Sequence, residues 1–289
     1  MKVKAAVLRE SGKSQPFASS LPLSIEEVEL DLPQKGEVLV QIKAAGLCHS
    51  DLVAITGERA KPMPMVIGHE ASGVVCEVGP EVEGLSVGDH VVPVYVANCG
   101  RCDMCRVGRP ALCQPATLAN KAGTLIDGTT RLHSKGQRIF HHSGVAAFSE
   151  YAVISQNALV KIDTSIPFEV AALFGCAVVT GVGSVVNTAK VGAGQSVAIV
   201  GMGGVGLNAL LAAVASGAGQ IIAVDVKDKK LQIASQLGAN ETFNSNLENC
   251  VEQILEATDG GVHFAFETAG VSSALDLAYK ITRRGGTTV

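Results

Sequence analysis

The residues with the clearest chemical purpose in this 289-residue chain are its eight cysteines, of which four lie close together. Their spacing is C-x2-C-x2-C-x7-C, formed by Cys99, Cys102, Cys105 and Cys113. Four thiolates close a tetrahedron around Zn²⁺ and leave no open position, so the spacing predicts a structural zinc site. An iron–sulfur cluster is the alternative, although the Cys-Pro ending of bacterial ferredoxin motifs is missing here.

A glycine-rich segment, Gly201-Met202-Gly203-Gly204-Val205-Gly206, follows a predicted strand and opens a predicted helix. This is the context of the G-x-G-x-x-G dinucleotide fingerprint. Gly201 allows the tight turn, Gly203 lets the backbone approach a pyrophosphate, and Gly206 permits close helix–strand packing. The N-terminus of the predicted helix would attract the phosphate charge.

A carboxylate supports the nucleotide interpretation, since Asp225 lies 19 positions after Gly206 at the end of the next predicted strand. There it can accept both ribose hydroxyls of an adenosine and repel a 2′-phosphate, which favours NAD over NADP. Lys230 is a candidate for a further ribose contact, with a solvated helix face as its alternative role.

Composition limits the other functions. Charged residues are 17% of the chain and the net charge is −4, so neither nucleic acid nor an anionic membrane is an expected partner, and a nucleic-acid zinc ribbon is excluded. No window reaches the roughly 20 apolar residues of a membrane span, and the N-terminal apolar run is too short for a signal peptide. We therefore expect a soluble cytoplasmic protein whose cysteines bind metal or act in catalysis.

The elements that must position these residues change in kind along the chain. Up to about Ile162, short alternating runs such as 37–42 and 71–78 predict a β-rich domain. After about Gly181, strands and helices alternate, which predicts βαβ units and a parallel sheet. The predicted elements there are strands 196–200, 221–225, 241–243 and 262–267, helices 205–215, 227–237, 247–257 and 272–283, and a last strand at 287–289.

This second part supplies four strands and the start of a fifth, whereas a full dinucleotide fold has six. We therefore expect either a chain that is truncated at its C-terminus or another part that completes the sheet.

Several motifs together carry a family resemblance. Gly68-His69-Glu70, the Cys99–Cys113 loop, Gly175-Cys176 and Gly201–Gly206, in this order, resemble the zinc-dependent medium-chain alcohol dehydrogenases from Lys2 to Val289. Taken singly, Cys48 and Cys176 would be core residues and His69 a satisfied polar residue. Asp127–Arg131 and Phe148–Tyr151 resemble the class that includes animal-type and glutathione-dependent formaldehyde dehydrogenases.

The resemblance implies an α/β fold with a GroES-like β-rich catalytic domain over residues 1–178 and an incomplete Rossmann cofactor domain over 179–289. It implies a catalytic zinc held by Cys48, His69 and Cys176, hence two Zn²⁺ per chain, with NAD as hydride acceptor.

Roles for other residues of the first domain also follow from the resemblance. Ser50 matches the hydroxyl that takes the alcohol proton, and Asp51 matches the carboxylate that orients His69. Glu70 matches the carboxylate beneath the zinc, and Tyr95 falls where the family lines its substrate pocket.

On the cofactor side, the resemblance places Thr180 and Val205 against the nicotinamide ring. His49 occupies a position that often carries an Arg or His against the pyrophosphate, and is the candidate for that contact. Many members carry a histidine five positions after the first cysteine ligand, where this chain has Val53, so we expect another route for proton release.

We therefore expect a zinc-dependent oxidoreductase that transfers a hydride between a small-molecule alcohol or aldehyde and NAD. The full-length form is expected to be a homo-oligomer. The alternative is a truncated, non-catalytic zinc- and nucleotide-binding protein.

Overall fold

The computed structural model describes all 289 residues and divides them into two compact units, Met1–Cys176 and Ala177–Val289. The first unit is mainly β-structure. Its strands are β1 Lys2–Leu8, β2 Leu23–Leu30, β3 Glu37–Gly46, β4 Met65–Val66, β5 Glu70–Val78, β6 His90–Pro93, β7 Leu132–Ser134, β8 Gln137–His141, β9 Tyr151–Ser155 and β10 Leu159–Lys161.

These ten strands form a closed barrel, in the order β1-β2-β7-β8-β4, and a five-stranded antiparallel sheet, in the order β10-β6-β5-β3-β9. Strand β1 illustrates why the chain folds this way, because Val3, Ala5 and Val7 are buried while Lys2 and Lys4 are exposed. Side chains alternate between the two faces of a strand, so this pattern turns one face into the barrel core.

Short helices join the strands of the first unit. They are α1 Phe17–Ser20, α2 His49–Thr56, α3 Asp103–Arg106, α4 Gln114–Ala122 and α5 Phe168–Ala171. Single turns of 3₁₀-helix lie at Pro110–Leu112, His142–Gly144, Gln156–Ala158 and Ala172–Gly175.

The second unit is a parallel sheet with helices. It contains α6 Ala177–Gly183, a π-helical turn Ser184–Ala189, β11 Ser196–Val200, α7 Gly204–Ala215, β12 Gln220–Asp225, α8 Asp228–Gln236, β13 Glu241–Asn244, α9 Cys250–Ala257, β14 Val262–Glu267, α10 Ser272–Lys280 and β15 Thr282–Thr288. The strand order is β13-β12-β11-β14-β15 and all neighbours are parallel. The predicted α/β class, a β-rich domain followed by a Rossmann-type sheet, is confirmed.

Three element bounds differ from the prediction by three residues or more, and one of them is the start of strand β15, which lies at Thr282 rather than at residue 287. Helix α9 begins at Cys250 rather than at Leu247, and α10 ends at Lys280, so Arg283 belongs to strand β15. The helix stops there because Val262 N–H donates to Ile281 O, which draws the chain into the sheet beside β14.

No single helix has both the length and the apolar character of a membrane span. One bent pair of helices, Phe168–Gly175 and Ala177–Ala189, has the length and apolar composition of a span when the two are taken together, and this rests on length and composition alone.

Candidate metal centres and nucleotide-binding loop

Cys48 lies at the N-terminus of helix α2, immediately after strand β3. Its backbone N–H donates to Asp51 Oδ2 at 2.9 Å, which closes a capping box around the first turn. Asp51 is fully buried, and a carboxylate is favourable at a helix N-terminus. The helix start therefore fixes the Cys48 backbone and the Asp51 carboxylate together.

His69 and Glu70 are delivered by the short connection between β4 and β5. Gly68 has φ +92°, and a Cβ on it would lie 2.5 Å from the ring of Phe148, so only glycine fits this position. Glu70 pairs with Gly46 across the sheet, beside the end of β3 that leads to Cys48. Both His69 and Glu70 are 3% exposed.

Cys176 completes the cluster from the far end of the first unit. It follows the 3₁₀ turn Ala172–Gly175, and a Cβ on Gly175 would overlap the carbonyl oxygen of Pro93. Its Sγ lies 3.9 Å from the Sγ of Cys48.

The donor set fits a zinc ion. The ligand atoms of Cys48, His69, Glu70 and Cys176 all lie within 4.8 Å of one another. Zn–S bonds of about 2.3 Å imply a tetrahedral S···S edge of about 3.8 Å, close to the observed Cys48–Cys176 separation. Two thiolates and one imidazole, with a carboxylate alongside, are the ligand types of catalytic zinc sites that keep a position open.

The charges in this cluster favour metal binding. The pKa of the Cys48 thiol is lowered by a hydrogen bond from Cys176 and by His69, whereas the Cys48 thiolate and burial raise the pKa of Cys176. Burial would lower the pKa of His69, but Asp51 and Cys48 outweigh it and raise that pKa to about 9. Burial and the Cys48 thiolate raise the pKa of Glu70. A cation would relieve this accumulation of negative charge.

The carboxylate of Asp51 also contacts His69, on the Nδ1 side of its ring. Its Oδ1 lies 3.2 Å from His69 Nδ1 and accepts the Gly68 N–H at 3.2 Å. Burial would raise the pKa of Asp51, but the close contacts with His142 and His69 lower it overall, so the carboxylate is ionised.

Sequence reasoning missed His142. The sequence suggests no role for it, yet its Nδ1 lies 3.0 Å from Asp51 Oδ1, and its ring stands edge-on to His69 with centroids 5.1 Å apart. No spacing rule reveals it, since 73 positions separate the two histidines.

The other residues expected around the catalytic metal have simpler surroundings. His49 and Ser50 are exposed in the first turn of α2, directly after Cys48. The ring of Tyr95 lies edge-on to His69 with centroids 6.1 Å apart, as a residue beside the metal site must. Val53 lies one turn further along α2 and is half-buried.

The four-cysteine loop folds into a second cluster. The sulfurs of Cys99, Cys102, Cys105 and Cys113 all lie within 4.8 Å of one another, and those of Cys102 and Cys105 are 3.5 Å apart. The N–H groups of Arg101 and Cys102 point at Cys99 and lower the pKa of its thiol. All eight cysteines are free, so the loop holds no disulfide. Four sulfur donors match closed, structural zinc coordination.

The glycine-rich loop joins β11 to α7 in the second unit. Gly201 has φ +101°, and a Cβ on Gly206 would overlap the carbonyl oxygen of Gly201, so both positions require glycine for internal reasons. A Cβ on Gly203 would meet nothing within 4 Å. The free space over Gly203, at the N-terminus of a 12-residue helix, fits a pyrophosphate that approaches the backbone closely.

Asp225, at the end of β12, hydrogen-bonds to this glycine-rich loop. Its Oδ2 accepts the Met202 N–H at 2.7 Å, and its Oδ1 accepts the Lys227 N–H at 2.9 Å. Lys230 Nζ lies 3.4 Å from Oδ2. The carboxylate is 6% exposed and still has lone pairs for a ribose hydroxyl.

Two further residues expected at the nicotinamide lie on helices that pack together. Thr180 is exposed on α6, and Val205 is half-buried in the first turn of α7. The helices approach so closely that a Cβ on Gly181 would lie 2.8 Å from the Ala209 nitrogen.

The segment Asp127–Arg131 has a structural role. Arg131 donates to both oxygens of the buried Glu37 at 2.8 Å, and also to Asp127 Oδ2 and Thr129 Oγ1. Its backbone N–H donates to Nε2 of the fully buried His141 at 3.1 Å. The guanidinium therefore forms its hydrogen bonds with groups of the protein itself.

Comparison with known proteins gives consistent matches along the chain. A family model described as "Alcohol dehydrogenase GroES-like domain" matches residues 34–164, and one described as "Zinc-binding dehydrogenase" matches residues 204–289. The chain is 40% identical over 288 residues to an S-(hydroxymethyl)glutathione dehydrogenase of Synechocystis sp., covering 99% of this chain and 76% of that protein.

Solved structures resemble it over its whole length. An alcohol dehydrogenase zinc-binding domain protein from Burkholderia ambifaria superposes with a TM-score of 0.92 at 38% identity, and covers 100% of this chain and 76% of its own. Benzyl alcohol dehydrogenase from Acinetobacter calcoaceticus superposes with a TM-score of 0.91 at 36% identity, with the same coverage.

Proposed function

The chain belongs to the zinc-binding alcohol dehydrogenases with a GroES-like domain, and we propose that it interconverts a small primary alcohol and its aldehyde with NAD as hydride carrier. The observation that carries the proposal is the buried donor set of Cys48, His69 and Cys176, with two sulfurs 3.9 Å apart. We assign the catalytic role to residues 1–178 and nucleotide binding to 179–289.

When bound, zinc supplies Lewis acidity toward the alcohol oxygen, and NAD supplies the carbon that accepts the hydride. The protein side of the site has separate tasks. Cys48, His69 and Cys176 would hold the metal, and Asp51 holds His69 by its Nδ1, which leaves Nε2 for the metal. Ser50 Oγ, exposed beside Cys48, takes the proton of the alcohol. Glu70 offers a carboxylate oxygen within 4.8 Å of the other donors and would be the group able to replace one of the metal ligands.

With Val53 in α2, the proton leaves Ser50 by a route that uses no histidine at that position. The exposure of Ser50 supports direct transfer to solvent.

In the second unit, Gly203 and the N-terminus of α7 receive the pyrophosphate, and Asp225 receives the adenosine ribose, with Lys230 beside it. A 2′-phosphate would meet the buried carboxylate, which favours NAD. Thr180 and Val205 are assigned to the nicotinamide ring, and the exposed His49 to the pyrophosphate. The free cysteines suit a reducing compartment, so we place the protein in the cytoplasm. The homo-oligomer stays a prediction.

A second candidate substrate, S-(hydroxymethyl)glutathione, is favoured by the names of the sequence relatives. Against it, Arg131 of the segment that resembles that class is 9% exposed and is paired with Glu37 rather than open to a ligand. We therefore prefer a small uncharged alcohol such as an aromatic one.

The test is NADH formation by the zinc-loaded protein with benzyl alcohol and, separately, with formaldehyde plus glutathione. We expect turnover of benzyl alcohol with NAD, little with NADP, and none in Cys48→Ala. Cys76→Ala is the matched control, because Cys76 lies on β5 outside both clusters. NAD binding without turnover of any alcohol would instead support the non-catalytic alternative.

A further inference from the structure

A buried group of three side chains lies directly behind the catalytic cysteines and histidine. Asp51, His69 and His142 are 0%, 3% and 2% exposed, and one ligand atom from each lies within 4.8 Å of the others. The pairing of Asp51 with His69 belongs to the site described above, whereas His142 has no role there.

His142 shares one carboxylate oxygen with His69. Its Nδ1 lies 3.0 Å from Asp51 Oδ1, but the angle is too bent for a regular hydrogen bond, so this buried nitrogen has no hydrogen-bond partner in the structure. The same oxygen receives His69 Nδ1 and the Gly68 N–H, while Oδ2 receives the Cys48 N–H. Asp51 therefore contacts four groups. Cys48 and His69 are proposed metal ligands, and Gly68 is the residue next to His69.

The backbone around His142 is held in unusual conformations. Ser143 and Ala146 both have positive φ, 54° and 57°, although neither is glycine. Such conformations are unfavourable for residues other than glycine and persist where the surroundings enforce them. The segment therefore holds the imidazole of His142 against Asp51 by more than one constraint.

The acceptor determines the tautomer of both histidines. An ionised carboxylate only accepts hydrogen bonds, so each ring must carry its proton on Nδ1 where it faces Asp51. For His69 this leaves Nε2 free toward the cysteine sulfurs, as a metal ligand requires.

We propose that His142 is a positioning residue that, by donating its Nδ1–H to Asp51, fixes the carboxylate and so the ring of the zinc ligand His69. This inference rests on the proposed function of the site. Without the His142 donor, Oδ1 keeps two of its three contacts and the carboxylate is free to turn, which loosens His69. Removal of such outer partners typically lowers metal affinity by 10–100-fold.

The matched pair of variants is His142→Leu and His142→Asn. The Asn side-chain amide places an N–H close to the position of imidazole Nδ1, while Leu has nearly the same shape and no donor. Both variants leave the same space where the far side of the imidazole ring lay. Any difference between them therefore measures the effect of the hydrogen-bond donor.

The readout is the rate at which zinc passes to a colorimetric chelator, which needs no turnover. In wild type we expect two ions per chain, and in His142→Leu one of them should leave about 10–100-fold faster. The other ion, in the four-cysteine cluster, should leave at an unchanged rate and so reports that the fold is intact. His142→Asn should resemble wild type.

Equal release rates in the Leu and Asn variants would overturn the proposal, as would a third zinc per chain that is lost with His142, which would make it a ligand. A second experiment uses wild-type protein with ¹⁵N-labelled histidine, because long-range ¹H–¹⁵N spectra distinguish the two histidine tautomers. The signal of His142 is assigned as the one that is missing from the spectrum of His142→Asn. We expect the Nδ1–H form for His142, and the Nε2–H form would refute the proposal even if the Leu variant does not fold. Absence of alcohol turnover in the wild type, with zinc still leaving His142→Leu faster than His142→Asn, would count only against the proposed function.

Discussion

The sulfurs of Cys48 and Cys176, which are 128 positions apart in the sequence, lie 3.9 Å from each other. One follows a β-strand and begins a helix, and the other ends a 3₁₀ turn at the far end of the unit. A zinc tetrahedron has an S···S edge of about 3.8 Å, so the fold brings the two thiols to the separation that the metal requires.

Asp51→Asn should weaken zinc binding at the catalytic site. The amide presents an N–H group to Cys48 N–H or to the histidines, which are themselves donors, so at least one contact becomes repulsive. We expect a 10–100-fold loss of zinc affinity, with alcohol oxidation falling alongside. Metal content after dialysis against a chelator measures it. Asp276→Asn, at an exposed ion pair on α10, serves as the control and should retain both ions.

Arg131→Met should destabilise the first unit. It removes a two-pronged contact and leaves the carboxylate of Glu37, 4% exposed, without its partner. Breaking a buried pair in this way costs about 3–5 kcal/mol. Lys280→Met removes an exposed pair and should cost below about 1 kcal/mol. Denaturant unfolding midpoints compare the two variants, and equal shifts would contradict the structural role assigned to Arg131.

His141 should make the first unit less stable at mildly acidic pH. Burial and the charge of Arg131 lower its pKa to about 4 from the ordinary 6.5. Its Nε2 accepts the Arg131 N–H, so a proton there would face another donor. As the pH falls, the unfolded chain takes up the proton first, and stability present above pH 6.5 is lost toward pH 4.

The loss amounts to at most about 3 kcal/mol. Unfolding free energies across this pH range should show it in wild type and a smaller slope in His141→Gln, where the amide oxygen accepts the same N–H. His133→Gln, at a partly exposed histidine paired with Asp31, is the comparison and should retain more of the slope. Identical slopes in wild type and His141→Gln would refute the assignment.

Two substitutions in the glycine loop should separate stability from nucleotide binding. Gly206→Ala overlaps the carbonyl of Gly201 and should cost about 1–3 kcal/mol or more, whether or not NAD is present. Gly203→Ala meets open space in the protein and should fold normally, but its methyl group occupies the place of the pyrophosphate. Calorimetric titration with NAD, together with thermal unfolding, distinguishes them. Tight NAD binding by Gly203→Ala would place the pyrophosphate elsewhere.

How much could be predicted from the sequence differs between the two units. In the second unit, strand β12 and helix α8 agree with their predicted bounds within one residue, because alternating buried strands and amphipathic helices carry a strong periodic signal. In the first unit helix α2 was not predicted. Its capping box is formed by Cys48 and Asp51, and cysteine is not among the residues that usually signal a helix start.

The candidate site shows the same division. The four-cysteine loop is local, so spacing alone suggested a metal cluster. Cys48, His69 and Cys176 come together only through the barrel and sheet, and the family resemblance rather than any local pattern indicated them. His142 was missed because it reaches Asp51 through a strained turn after β8, and neither its neighbours nor its spacing record that contact.

The central claim, a catalytic zinc held by Cys48, is tested most directly by zinc content and alcohol-dependent NADH formation measured on the same samples of wild type and Cys48→Ala. We predict two zinc ions per chain and turnover in wild type, and one remaining ion with no turnover in Cys48→Ala. A variant that keeps both ions, or that oxidises the alcohol with one, would contradict the account.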